Sequence, residues 1–89
     1  MMAYLILLVV LVLAAAPASA GPLCTSAPPA TWLPLDTLRA RVEAEGYRIV
    51  VLKTTAGNCY EIYGRDRDGR RVEIYFDPVS GDVVKASIR

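Results

Sequence analysis

The first 35 residues of this 89-residue chain contain no Asp, Glu, Lys or Arg; all nine acidic and all ten basic side chains fall in residues 36–89. A soluble domain needs charge on its surface, so the folded unit must be drawn from the C-terminal part and the N-terminal third must serve another purpose. Of the 48 apolar residues, 18 lie in residues 1–20 and 30 in the following 69, which is an ordinary share for a soluble domain. This length excludes a second domain and a large catalytic cleft. A net charge of +1 excludes an extended nucleic-acid surface. The chain has no histidine, and so lacks the commonest general base and the commonest metal ligand.

Residues 4–13 are apolar without a break, followed by Ala14, Ala15, Ala16, Pro17 and the small triplet Ala18-Ser19-Ala20. This layout is that of a signal peptide over residues 1–20, cleaved after Ala20. The alternative is a membrane anchor, but the run from Leu5 to Ala16 is well short of the roughly 20 residues a spanning helix needs. The segment Met1-Met2-Ala3 offers only the terminal amine as positive charge, and Gly21-Pro22-Leu23 does not fit the small residues that precede a lipidated cysteine. The reading is a periplasmic or secreted protein with no stable membrane anchor after cleavage.

Cys24 and Cys59 are the only cysteines. In an exported small domain an even count reads as a disulfide. The chain-entropy argument gives such a bond, closing a loop of about 36 residues, about 4 kcal/mol. A metal site or a redox pair is the alternative, yet two cysteines without histidine underfill a zinc shell and no C-x-x-C occurs. Residues 21–34 hold Pro22, Pro28, Pro29 and Pro34 and no charge, which predicts a proline-rich extended arm held to the domain through Trp32 and Cys24.

Residues 35–89 form the domain. Leu35, Leu38 and Val42 recur at helical spacing from Asp36 to Gly46, with Arg39, Arg41, Glu43 and Glu45 on the other face, which predicts one amphipathic helix of about three turns ending on a left-handed Gly46. The period then falls to two. Residues 47–54, 59–66, 70–77 and 83–88 are β-branched and aromatic runs separated by turn residues. The fold class is α+β, with the N-terminal helix packed on an antiparallel four-strand meander.

Alternation sets one register outright. Tyr60, Ile62, Val72, Ile74 and Phe76 must share the core face, which puts Ile62 opposite Ile74 and leaves Arg67-Asp68-Gly69 as a three-residue loop. Asp66 then opens a type I turn and Gly69 takes the left-handed bulge position. Asp66-x-Asp68-Gly69 also resembles part of a calcium loop, but aligning Gly69 to the loop glycine leaves Gly64 and Tyr75 at ligand positions. The stretch from Asp77 and Pro78 to Gly81 and Asp82 is a second type I turn, with Gly81 free to adopt positive φ.

Gly46-Tyr47-Arg48-Ile49-Val50, Cys59-Tyr60-Glu61-Ile62-Tyr63, Asp68-Gly69, and Val72-Glu73-Ile74-Tyr75-Phe76-Asp77-Pro78 with Gly81-Asp82-Val83-Val84 together resemble a PepSY domain, in its small exported single-domain form. The most specific part is the terminal hairpin, with Ser80 where Thr is commoner. The resemblance implies a helix on an antiparallel sheet in a bacterial envelope or secreted protein. It also implies a non-catalytic binding role proposed for the family as regulation or inhibition of peptidases. Its matched residues here, Gly46, Tyr47, Gly69, Asp77, Pro78 and Gly81, are structural, and it supplies no catalytic residue.

Opposite the core face lie Glu61, Tyr63, Arg65, Arg71, Glu73 and Tyr75. One reading is a solvated face held by cross-strand pairs. The other is a partner-binding face, because two tyrosines flanked by charge are the anchors protein interfaces favour. Cys59 shares this parity, so a disulfide draws the arm across the face and covers part of it. Glu61 and Glu73 as a catalytic pair lack the cleft that would raise an acid's pKa, and no serine has a histidine. Arg65, Arg67, Arg70 and Arg71 are interleaved with Asp66 and Asp68, which is a solvated turn rather than a nucleic-acid site. The expectation is a non-enzyme without cofactor or metal that binds another envelope or secreted protein, a peptidase in particular, through the tyrosine face or a sheet edge. The alternative is a small-ligand or metal-binding sensor using Glu61, Glu73, Asp66 and Asp68.

Overall fold

The computed structural model describes residues 21–89, and the leader assigned to residues 1–20 lies outside the described residues. Helix α1 (Leu35–Ala44) begins directly after Pro34, which fixes the entry angle but offers no capping side chain. Asp36 sits in the first turn and Arg41 in the last, each on the end that suits its charge. Leu38 and Val42 are buried, whereas Leu35 stays exposed at the first helical position. The helix ends in a Schellman motif. Gly46, at φ 95°, donates to the Glu43 carbonyl at 2.9 Å, and Tyr47 donates back to Val42 at 3.3 Å.

Four strands follow, β1 (Arg48–Thr54), β2 (Tyr60–Arg65), β3 (Arg71–Phe76) and β4 (Val83–Ile88), in the spatial order β1-β2-β3-β4, all antiparallel. Ile62 pairs with Ile74, Tyr63 with Glu73 and Glu61 with Tyr75, the register that alternation requires. Leu38 and Val42 close over Tyr60, Ile62, Val72, Ile74 and Phe76, with Trp32, Tyr47, Ile49 and Leu52 at the margin. The helix makes its close backbone approaches to β1. At the other side of the sheet Val83, Val84 and Ile88 of β4 are left exposed.

Both tight hairpins use one device. Asp66 N–H donates to the Arg70 carbonyl, Gly69 (φ 78°) donates to the Asp66 carbonyl, and Asp66 Oδ1 accepts from the Arg70 amide at 2.9 Å. Between β1 and β2, Thr55 donates to the Cys59 carbonyl, Asn58 (φ 58°) donates to Thr55, and Thr55 Oγ1 accepts from the Cys59 amide at 3.1 Å. Each is a three-residue loop with a left-handed third residue and a polar side chain bracing its base. The last hairpin is wider. Asp77 pairs with Asp82 and is closed by Gly81 (φ 80°) donating to the Asp77 carbonyl, four residues back rather than three.

Strand β1 carries an irregularity between Ile49 and Val51 that turns Val50 out to solvent. Opposite stands Gly64, where a Cβ would lie 2.1 Å from the Arg48 carbonyl oxygen. Only glycine lets the two backbones come that close.

Residues 21–34 run along both sides of the sheet. Cys24 is bonded to Cys59 and donates its amide to the Gly57 carbonyl at 2.9 Å. After a 3₁₀ turn (Pro29–Thr31), Trp32 meets Tyr60 edge to face at 5.7 Å. Tyr60 Oη donates to the Leu33 carbonyl at 2.6 Å, and Leu33 N–H donates to Pro78 at 2.8 Å. These contacts hold the segment against the helix-side core.

Candidate functional site

On the sheet face away from α1, alternation brings Glu61 and Tyr63 from β2 beside Glu73 and Tyr75 from β3. Lys53 joins them from β1, because it pairs with Glu61. These side chains, with Thr55 from the β1–β2 loop, line a recess of about 370 Å³. Tyr75 Oη donates to Glu73 Oε1 at 2.8 Å and Tyr63 Oη to the same oxygen at 3.3 Å. Lys53 Nζ lies 3.4 Å from Glu61 Oε1 and 5.5 Å from the Tyr63 ring centre.

The face is not uniformly solvated. Glu61 is 2% exposed and Tyr75 8%, whereas Tyr63, Arg65 and Arg71 are open to solvent. Residues 21–23 lie against this face at Tyr75 and at Gly57. A Cβ on Gly21 would fall 2.6 Å from Tyr75 Cε1, and one on Gly57 would fall 2.2 Å from the Pro22 carbonyl oxygen. Glu61 Oε2, fully enclosed, has no hydrogen-bond partner among the described residues.

The electrostatics follow from this packing. The carboxylates of Glu61 and Glu73 beside its hydroxyl, together with burial, push the Tyr75 pKa up. Desolvation and the same two charges raise Tyr63 more weakly. The hydrogen bond from Tyr75 holds Glu73 below the usual carboxylate range against the opposing effect of burial. A carboxylate pair flanked by two hydroxyl donors and one ammonium can hold a cationic group.

The arginines are engaged elsewhere or free. Arg65 donates to the Gly69 carbonyl at 3.0 Å rather than to Glu73, and stands opposite Arg71 in the register. Arg70 bonds Asp66 at 2.8 Å and Asp68 at 3.4 Å, closing the turn on itself. Partial burial works against ionisation of Asp66, but the Arg70 amide and guanidinium and the Asp68 amide hold its carboxyl low. Gly46, Asp66, Gly69, Asp77, Pro78 and Gly81 all sit in caps or turns, and none borders the recess. Among the described residues no three of His, Cys, Asp and Glu converge as metal ligands, and no helix is long and apolar enough to cross a membrane.

Sequence reading missed Lys53, Gly21 and Gly57. The first was available: recognising Thr55 and Asn58 as the base and bulge of a three-residue loop fixes the β1–β2 register and puts Lys53 opposite Glu61.

The fold and this face define a small helix-on-meander module that carries two carboxylates, two tyrosine hydroxyls and a lysine on the sheet face away from the helix. The chain belongs to the PepSY_2 family, described as the peptidase propeptide and YPEB domain, whose family model matches residues 4–87, nearly the whole chain. The comparisons with curated proteins and with solved structures return no match.

Proposed function

We propose that this chain is an exported PepSY module, freed of its leader after Ala20, that acts without catalysis by binding another envelope or secreted protein. A peptidase is the partner class that its family's description favours. The observation that carries the reading is the uncovered β4. Its outer edge pairs with nothing among the described residues, and Val83, Val84 and Ile88 are 57%, 44% and 54% exposed. An edge strand with apolar side chains beyond the reach of the covering helix is a template for an added strand. The other edge strand is blunted by its irregularity at Val50. Tyr63, Arg65 and Arg71 form the exposed remainder of the tyrosine face and are the second surface to test, whereas Glu61 and Tyr75 are covered.

The experiment is a peptidase assay on the envelope fraction of the source cells, with and without the purified exported protein. Wild type is expected to slow casein hydrolysis. A Val84→Glu/Ile88→Glu variant with unchanged circular dichroism is expected to lose the effect, and Tyr63→Ala to keep it. No inhibition together with no envelope protein crosslinked through a photoreactive residue at position 88 would reject the reading.

A further inference from the structure

One carboxylate oxygen in the recess on the tyrosine face has no donor among the described residues. Glu61 and Glu73 place two carboxylates side by side, and Lys53 engages Glu61 only through Oε1. Glu61 Oε2 is enclosed and unpartnered, although Glu61 is 2% exposed. The neighbouring charges do not serve it. Lys85 on β4 stands opposite Tyr75 and is exposed, and Arg89 acts on Glu73 by its charge. A buried carboxylate oxygen without a donor is strongly destabilising.

Gly21 packs against Tyr75, one of the residues that line this recess. Its Cβ position lies 2.6, 2.7 and 2.9 Å from Tyr75 Cε1, Cζ and Oη, so any larger residue would collide with the ring. The backbone nitrogen is two bonds from that position, which puts it within about 5.5 Å of Tyr75 Oη by standard bond lengths. The segment is held there firmly. Three residues on, Cys24 is bonded to Cys59, and the Pro22 carbonyl lies against Gly57 and 3.2 Å from Cys59 Sγ.

The peptide bond expected to be cut during export is the one that ends at this nitrogen. Its hydrolysis adds water across Ala20–Gly21, leaving a carboxylate on the departing leader and an amine on Gly21 that is protonated at neutral pH. We propose that this new α-ammonium is the missing donor: it seats in the recess against Glu61 Oε2, beside Glu73 and Tyr75, so that leader cleavage completes the ion-pair set of the domain. The proposal rests on the export and cleavage reading above and is independent of any partner. It makes residue 21 a binding determinant that tolerates only glycine, and the recess an α-amine site filled by the chain itself.

The test uses the full chain exported in a bacterial host and purified from the periplasm. Intact mass is expected to show a protein starting at Gly21. NMR titration of the Gly21 α-carbon should then give an amine pKa at least one unit above the ordinary value of about 7.7–8.0, and Glu61→Gln should return it to that range. Inserting a Ser between Ala20 and Gly21 moves the amine outward. This variant, which leaves every buried side chain intact, should melt about 4–8 °C lower at pH 7 and match wild type once the pH exceeds the raised amine value. Acetylating the α-amine should have the same effect. A leader still attached would overturn both this inference and the cleavage reading. A mature Gly21 terminus with an ordinary pKa, or equal melting of the wild-type and Ser-insertion proteins at pH 7, would overturn the inference and leave the binding function standing.

Discussion

Arg67, at the tip of the β2–β3 hairpin, donates from Nε to the Glu45 carbonyl at 2.9 Å, so the hairpin reaches back to the C-terminal end of the helix. A guanidinium there meets carbonyls that the helix leaves unpaired and the negative end of its dipole. Arg67→Ala should lower stability by about 0.5–1 kcal/mol in urea unfolding, and Arg67→Lys should recover part of it. High salt should shrink the difference.

Gly64 and Gly69 should respond very differently to the same methyl group. At Gly64 it meets the Arg48 carbonyl oxygen at 2.1 Å, and backbone cannot move aside cheaply. Gly64→Ala should therefore cost about 2–3 kcal/mol by forced overpacking. Gly69 has nothing within 4 Å, and its penalty is the positive φ alone, about 1–2 kcal/mol. Paired denaturation curves decide the order.

The raised pKa of Tyr75 gives the protein an alkaline limit. The folded state keeps the Tyr75 proton where the unfolded chain loses it, so the associated stability is present below the ordinary tyrosine value of about 10 and falls as the pH rises beyond it. Melting temperatures measured from pH 8 to 12 should drop steeply above pH 10 in wild type. Tyr75→Phe should start lower, having lost the bond to Glu73, and should flatten that drop.

Removing the covalent link should loosen the covered side of the sheet. Without reductant a thiol assay should find no free cysteine, as the Cys24–Cys59 bond requires. Cys24→Ser/Cys59→Ser should cost about 2–5 kcal/mol. In that variant hydrogen exchange should rise at the residue 24 amide, which in wild type donates to Gly57, before it rises at Ile62.

The meander was legible because its information is local or periodic. Two-residue alternation fixed Ile62 against Ile74, and the Asp66 and Gly69 turn chemistry required the same register independently. Gly46 marked the helix end for an equally local reason, since a left-handed cap is a property of one residue. The state of the tyrosine face was not legible. Parity says which residues share a face, but it does not show that Gly21, 54 residues earlier, packs against Tyr75, or that Glu61 is dry while Arg71 is wet. Leu35 shows the same limit on the helix: it continues the apolar spacing, yet at the first helical position it is left exposed while Leu38 and Val42 are buried.

The meander joins neighbours in sequence, whereas residues 21–34 are joined to the sheet only across long separations: Cys24 to Cys59, Leu33 to Tyr60 and to Pro78. Contacts of that span form slowly because loop closure must come before any gain. Contact span therefore favours an order in which the four strands zip up first and residues 21–34 dock afterwards. During that interval the buried carboxylate of Glu61 is still hydrated. On that order, enclosing the tyrosine face waits for residues 21–24, which reach Tyr75 and Gly57 only once docked.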